Sequence, residues 1–191
     1  MGLLVPLFAA SALVGPVLSE DIASADVAVV TGPGTGVYEV FIAPDGWVED
    51  CRVMRSDYPA ASNARVCDAL MQQKARKPAL GADGKPIHAA ATVTRSRGSA
   101  PAGPEADVVV EVVALPGAAD GRRTVALNLL VDAHGRLSQC QPVIGAADAL
   151  SRVACEQARG LRLGARKNPH GRAVPYLVQV RVDFVQGSAS S

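Results

Sequence analysis

Aromatic residues are scarce: three Phe, three Tyr and one Trp make up 4% of the 191 residues. So few rings leave no series of platforms on which bases or sugars could stack, and the core must be built from Val, Leu, Ile and Ala. An excess of one charge is also lacking. Nineteen Lys and Arg stand against eighteen Asp and Glu, and no basic run is long enough to track a phosphate backbone, which argues against nucleic acid as a partner. Histidines number three, at His88, His134 and His170. They are scattered, and none has a second ligand at metal-binding spacing. No Ser-His-Asp arrangement or nucleophile elbow occurs. Gly32-Pro33-Gly34-Thr35-Gly36 lacks the Lys-Ser/Thr ending and following helix of a phosphate loop, and reads as a flexible lead-in turn. Asp45 and Asp83 each lie next to a turn glycine or one residue from it, where Asp bonds local backbone, so they do not read as a catalytic carboxylate pair. The expectation is a non-enzyme with no cofactor and no metal.

What is present is apolar. Hydrophobic residues make up 49% and charged residues 19%, a balance that folds rather than staying disordered. Gly2 to Leu18 carries no charge and is followed by Ala23-Ser24-Ala25, a small-x-small triplet that signal peptidase accepts. Residues 1–25 are therefore read as a signal peptide, although no Lys or Arg precedes the run and Pro6 and Pro16 interrupt it. An uncleaved membrane anchor and a buried helix are the alternatives, and the run is short for a bilayer span. Cleavage after Ala25 would remove Glu20 and Asp21 and no basic residue, giving 19 − 16 = +3. The expected location is periplasmic or secreted, with the membrane reached only through an uncleaved N-terminus. Four cysteines fit export, where an even count argues for disulfides; in a reducing compartment they would be free thiols.

The chain also repeats itself. Gly46, Cys51 and Cys67 recur as Gly135, Cys140 and Cys155, at offsets of 89, 89 and 88 residues. Each copy reads as strand, Gly turn, strand, helix, turn and strand. Since a duplicated unit inherits its internal contacts, the repeat selects Cys51 with Cys67 and Cys140 with Cys155 from three possible connectivities. In the first copy Tyr38, Val40 and Ile42 alternate as a half-buried strand, and Trp47 to Met54 returns after Pro44-Asp45-Gly46. Ala61 to Lys74 follows as a helix with Ser62 or Asn63 as cap, and Ile87 to Thr94 as a third strand. The second copy has strands at Val125 to Val131 and Arg136 to Val143, then a helix at Ala149 to Arg159 capped by Asp148. Its last strand, Tyr176 to Phe184, alternates most cleanly. Asp107 to Ala114 adds an extra first strand, and Ala28 to Thr31 is its counterpart. The expected organisation is a first module at 26–97, a linker at 98–106, a second module at 107–186 and a short tail at 187–191. The fold class is α+β: two tandem small modules, each a three- or four-stranded antiparallel sheet packed by one helix.

This order, with Gly-x-hydrophobic-x-x-Cys in both copies, resembles the C-terminal domain of TonB-type energy transducers. Arg76-Lys77-Pro78-Ala79-Leu80 and Ala82-Asp83-Gly84-Lys85-Pro86 are similar to the family's segment after the helix, apart from a missing aromatic, and Gly164-Ala165-Arg166-Lys167 is a decayed version. The resemblance covers nearly all of 37–95 and 107–184. It implies a periplasmic domain that accepts a partner's extended peptide as an added strand, for example a segment of an outer-membrane receptor, in energised transport. No long Pro-rich spacer and no basic-flanked membrane helix accompany it, so the chain resembles the domain and not the whole transducer. The final strand is the expected sheet edge, with Tyr176, Val178, Gln179, Val180, Arg181 and Val182 as partner-binding residues; the alternative is that this strand is internal. Two further readings compete: a structural protein whose modules pair with each other, and a thiol-disulfide oxidoreductase. Separation of the cysteines by whole elements, on apolar faces, opposes the latter.

Overall fold

The computed structural model describes residues 12–19, 33–97, 106–113, 115, 121–143 and 148–187. The expected strand at Ala28 to Thr31 and the linker at 98–105 lie outside them. The first half holds β1 (Gly34–Ile42), β2 (Val48–Ser56), α1 (Ala60–Met71), β3 (Ala79–Leu80) and β4 (Pro86–Arg97). The second holds β5 (Val108–Val112), β6 (Arg122–Val131), β7 (Leu137–Pro142), α2 (Ala149–Ala158), β8 (Arg166–Lys167), β9 (Ala173–Val174) and β10 (Tyr176–Gln186).

Local sequence explains these elements. Gly46 and Gly135 close the β1–β2 and β6–β7 hairpins at φ values of 92° and 81°, which a side chain rarely adopts. A Cβ on Gly135 would also meet the backbone of Gly164 and Ala165 at 2.5 Å. Asp45, Asp83 and Asp132 accept backbone N–H bonds within their own turns, from Trp47, Lys85 and both His134 and Arg136. α2 starts at Asp148, whose carboxylate accepts from the Ser151 N–H at 2.7 Å. α1 starts differently. Its N-cap is Pro59, with no side-chain cap; Ser62 and Asn63 lie inside the helix, and Asn63 instead donates to the Tyr58 carbonyl and accepts from Tyr38 and Ser56. Within the glycine-rich lead-in, Gly34 to Gly36 are not a turn either. Gly34 and Gly36 are strand residues paired with β4, because the rings of Tyr58 and Tyr38 lie where their side chains would stand.

The strands of both halves join one sheet in the order β2-β1-β4-β10-β6-β7, with β3 on β4 and β5 on β10. Two separate small sheets were expected; instead β4 and β10 pair in parallel, Tyr176 with His88, Leu177 with Ala89 and Val178 with Ala90. That register decides where the helices go. Odd-numbered Val93 and Ala91 of β4 pack with Val66 and Leu70 of α1, while even-numbered Val180, Val182 and Phe184 of β10 pack with Ala154 and Ala158 of α2. Because Leu177 lies beside Ala89 on one face, α1 and α2 cover opposite faces of the shared sheet. Each helix is tied to its own hairpin by a disulfide, Cys51–Cys67 with Cα atoms 5.4 Å apart and Cys140–Cys155 with Cα atoms 5.9 Å apart. Both pairings are those the repeat selected, and they indicate an oxidising compartment. No helix among the described residues is long and apolar enough to cross a membrane.

Candidate functional site

Each half leaves one sheet face without its own helix, and the other half covers it. Behind β1, the β8–β9 ribbon and the preceding loop pack Val174 and Leu163 against Phe41, Ala90 and Tyr176, with Arg166 paired to Glu39 and the Tyr176 hydroxyl donating to the Leu163 carbonyl. Beside this contact lies an open cavity of about 240 Å³ lined by Phe41, Glu49, Asp50, Lys167, Asn168 and Pro169. Of its acids, Asp50 is paired with Arg52, while Glu49 Oε2 stands 3.5 Å from His88 Nε2 and is buried with no hydrogen-bond partner. His88 stacks on Phe41, and burial lowers its imidazole pKa against the opposing pull of Glu49 and Asp45.

Behind β6 and β10 the cover is an extended segment, Ala12 to Ser19, lying within the run expected to be a signal peptide. Leu13 is buried among Ala79, Ala89 and Leu177, where the two alanines leave room for a branched side chain. Both backbone groups of Leu13 are held by side-chain amides. Its N–H donates to Gln141 Oε1 at 2.8 Å, and its carbonyl accepts from Asn128 Nδ2 at 2.8 Å. Gln179 Nε2 in turn donates to Asn128 Oδ1 at 3.2 Å, which fixes the Asn128 amide with its Nδ2 toward the segment. Further along, Val14 exchanges two backbone hydrogen bonds with Leu80, at 3.1 and 2.9 Å, and Val17 two with Lys77, at 3.0 and 3.2 Å. The segment therefore runs antiparallel along the outer side of β3. This is a groove with a sheet edge on one wall, an apolar pocket at one end and an amide clamp in its floor.

The expected partner-binding residues are distributed otherwise. β10 is flanked along its whole length by β6 on one side, and by β4 and β5 at the two ends of the other. Between those two, the Arg181 N–H donates to the Asp107 carboxylate and the Arg181 carbonyl accepts from the Asp107 N–H. Strand addition along Tyr176 to Val182 is thus obstructed on both sides, because a strand has only two edges. Tyr176, Val178, Val180 and Val182 turn toward the α2 face, and Gln179 alone of the six lines the groove. The outermost strands are β2 and β7. The first carries Glu49, Asp50, Arg52 and Arg55 and faces two register shifts, and the second is short and ends at Pro142, devices that blunt edges.

Sequence reasoning did not single out Leu13, Asn128, Gln141 or the two alanines. One signal was present: Asn128 interrupts the apolar run Val125 to Val131, and a polar residue there must find a partner. All four cysteines are bridged, and no group of three or more His, Cys, Asp or Glu that could hold a metal ion occurs among the described residues. Comparison with known proteins gives no matching family model, no matching curated protein and no matching solved structure.

Proposed function

We propose that this is an exported, non-catalytic protein that binds an extended polypeptide by strand addition, in the groove between β3 and the back of β6 and β10. The reading rests on one observation: a stretch of chain already lies there in antiparallel pairing, through two isolated bridges that make four backbone hydrogen bonds to Leu80 and Lys77. Main-chain pairing supplies affinity in such sites, and pockets for particular side chains supply selectivity. The resemblance of both halves to the C-terminal domain of TonB-type transducers, as two tandem modules, supports a partner drawn from outer-membrane transport and an accessory role there. If residues 1–25 are removed on export, the groove is vacated for that partner. A structural role is the second reading, and the parallel contact between β4 and β10 favours it.

Amide exchange separates them. Leu13→Asp in the full chain places a charge in the Leu13 pocket and is expected to release the segment, so that the Leu80 and Lys77 amides exchange faster while the Gly46 and Gly135 amides keep their protection. A synthetic peptide copying residues 11–19 should then restore protection at Leu80 and Lys77. Unrestored exchange at saturating peptide contradicts strand addition in this groove and leaves the structural role.

A further inference from the structure

We propose that the groove selects uncharged extended segments with a branched aliphatic residue at one position and glycine two positions later, and that Leu13-Val14-Gly15 is its resident example. This selectivity rests on the peptide-binding reading above and goes beyond it by naming the ligand chemistry.

The first requirement comes from the pocket at Leu13. It is walled by Ala79, Ala89 and Leu177, with Ala82, Ile87 and Leu130 packed around them, all of them apolar. A charged or amide side chain there would lose its water without gaining a partner. The second requirement comes from Gly15. A Cβ at that position would stand 2.3 Å from Gln179 Nε2 and 3.4 Å from Asn128 Oδ1. Gln179 is exposed and its side chain can swing aside, but doing so stretches its 3.2 Å hydrogen bond to Asn128, the bond that orients Nδ2 of Asn128 toward the Leu13 carbonyl. Asn128 is 3% exposed, so an unanchored amide there has no solvent to turn to. A side chain at the glycine position therefore damages the clamp two residues away. Val14 and Val17 are exposed and touch the site through their backbones, so the groove should be indifferent to what stands there.

The test uses the full chain carrying Leu13→Asp, with Leu13→Ser as a milder variant should the first not fold, and fluorescently labelled peptides copying residues 11–19. The unaltered peptide should bind. The same peptide bearing Leu13→Asp or Gly15→Val should bind about ten-fold more weakly or worse, and the peptide bearing Val14→Thr within about two-fold of the original. Adding Asn128→Leu to the chain should abolish the preference for glycine at position 15, because the clamp that reads it is gone. If all four peptides bind equally, selectivity is wrong and strand addition survives. If none binds to a chain whose Leu80 and Lys77 amides have become exposed, both fall.

Discussion

At the residue scale, buried polar side chains reveal more of this protein than its apolar ones. Asn128 interrupts the apolar run Val125 to Val131 of its strand, and its amide donates to the Leu13 carbonyl and accepts from Gln179. Asp183 is another buried polar residue on that face. Burial pushes its carboxyl up, but hydrogen bonds from Thr124 and Arg122, with the charges of Arg122 and Arg181, outweigh that and hold it below the ordinary carboxylate range. A carboxyl depressed by folding contributes stability that is complete above the unfolded value of about 3.9 and is lost as pH falls through the folded one. Asp183→Asn is therefore expected to cost about 1–3 kcal/mol near pH 7 in denaturant unfolding. The difference from the parent should shrink below about pH 4. A difference that does not change with pH would contradict the charged role.

At the scale of elements, periodicity and turn chemistry carried most of the fold. The alternation from Tyr176 to Phe184, the Asp-containing turns at Asp45 and Asp83, the Asp148 cap and the two cysteine pairings could all be read, because each is local or inherited through the repeat. The exceptions have physical reasons. Gly34-Thr35-Gly36 reads as a turn, yet it is strand because the Tyr38 and Tyr58 rings occupy its missing side chains. β10 reads as an edge because alternation reports which faces are buried and says nothing about which edges are paired. The capping difference between the helices gives a prediction. Asp148→Ala should lower the melting temperature, whereas Ser62→Ala in α1 should lower it less, since no side chain caps that helix. Replacing Cys140 and Cys155 together by serine should cost about 3 kcal/mol, given the 15-residue separation they close. A thermal melt shifted equally by both helix variants would show that Asp148 does no capping.

At the scale of the whole molecule, the two halves share one main sheet and borrow a cover from each other. Each half shields the exposed face of the other, with the β8–β9 ribbon on one side and the segment at Leu13 together with β3 on the other. Severing the linker through a protease site inserted within residues 98–105 should thus leave the halves associated on size exclusion, and separation into two species would contradict the shared core. The groove is where the two halves meet: β3 belongs to the first, while Asn128, Gln141 and Gln179 belong to the second. Its location was not legible in the sequence, because three strand pairs between distant residues create it. The most direct test is isotope-filtered NMR of the labelled full-length Leu13→Asp chain with an unlabelled peptide copying residues 11–19. Cross-strand contacts from the peptide to Leu80 and Lys77, in the antiparallel register now held by Val14 and Val17, are the predicted result. Contacts to β2 or β7 instead, or none at all, would contradict the account.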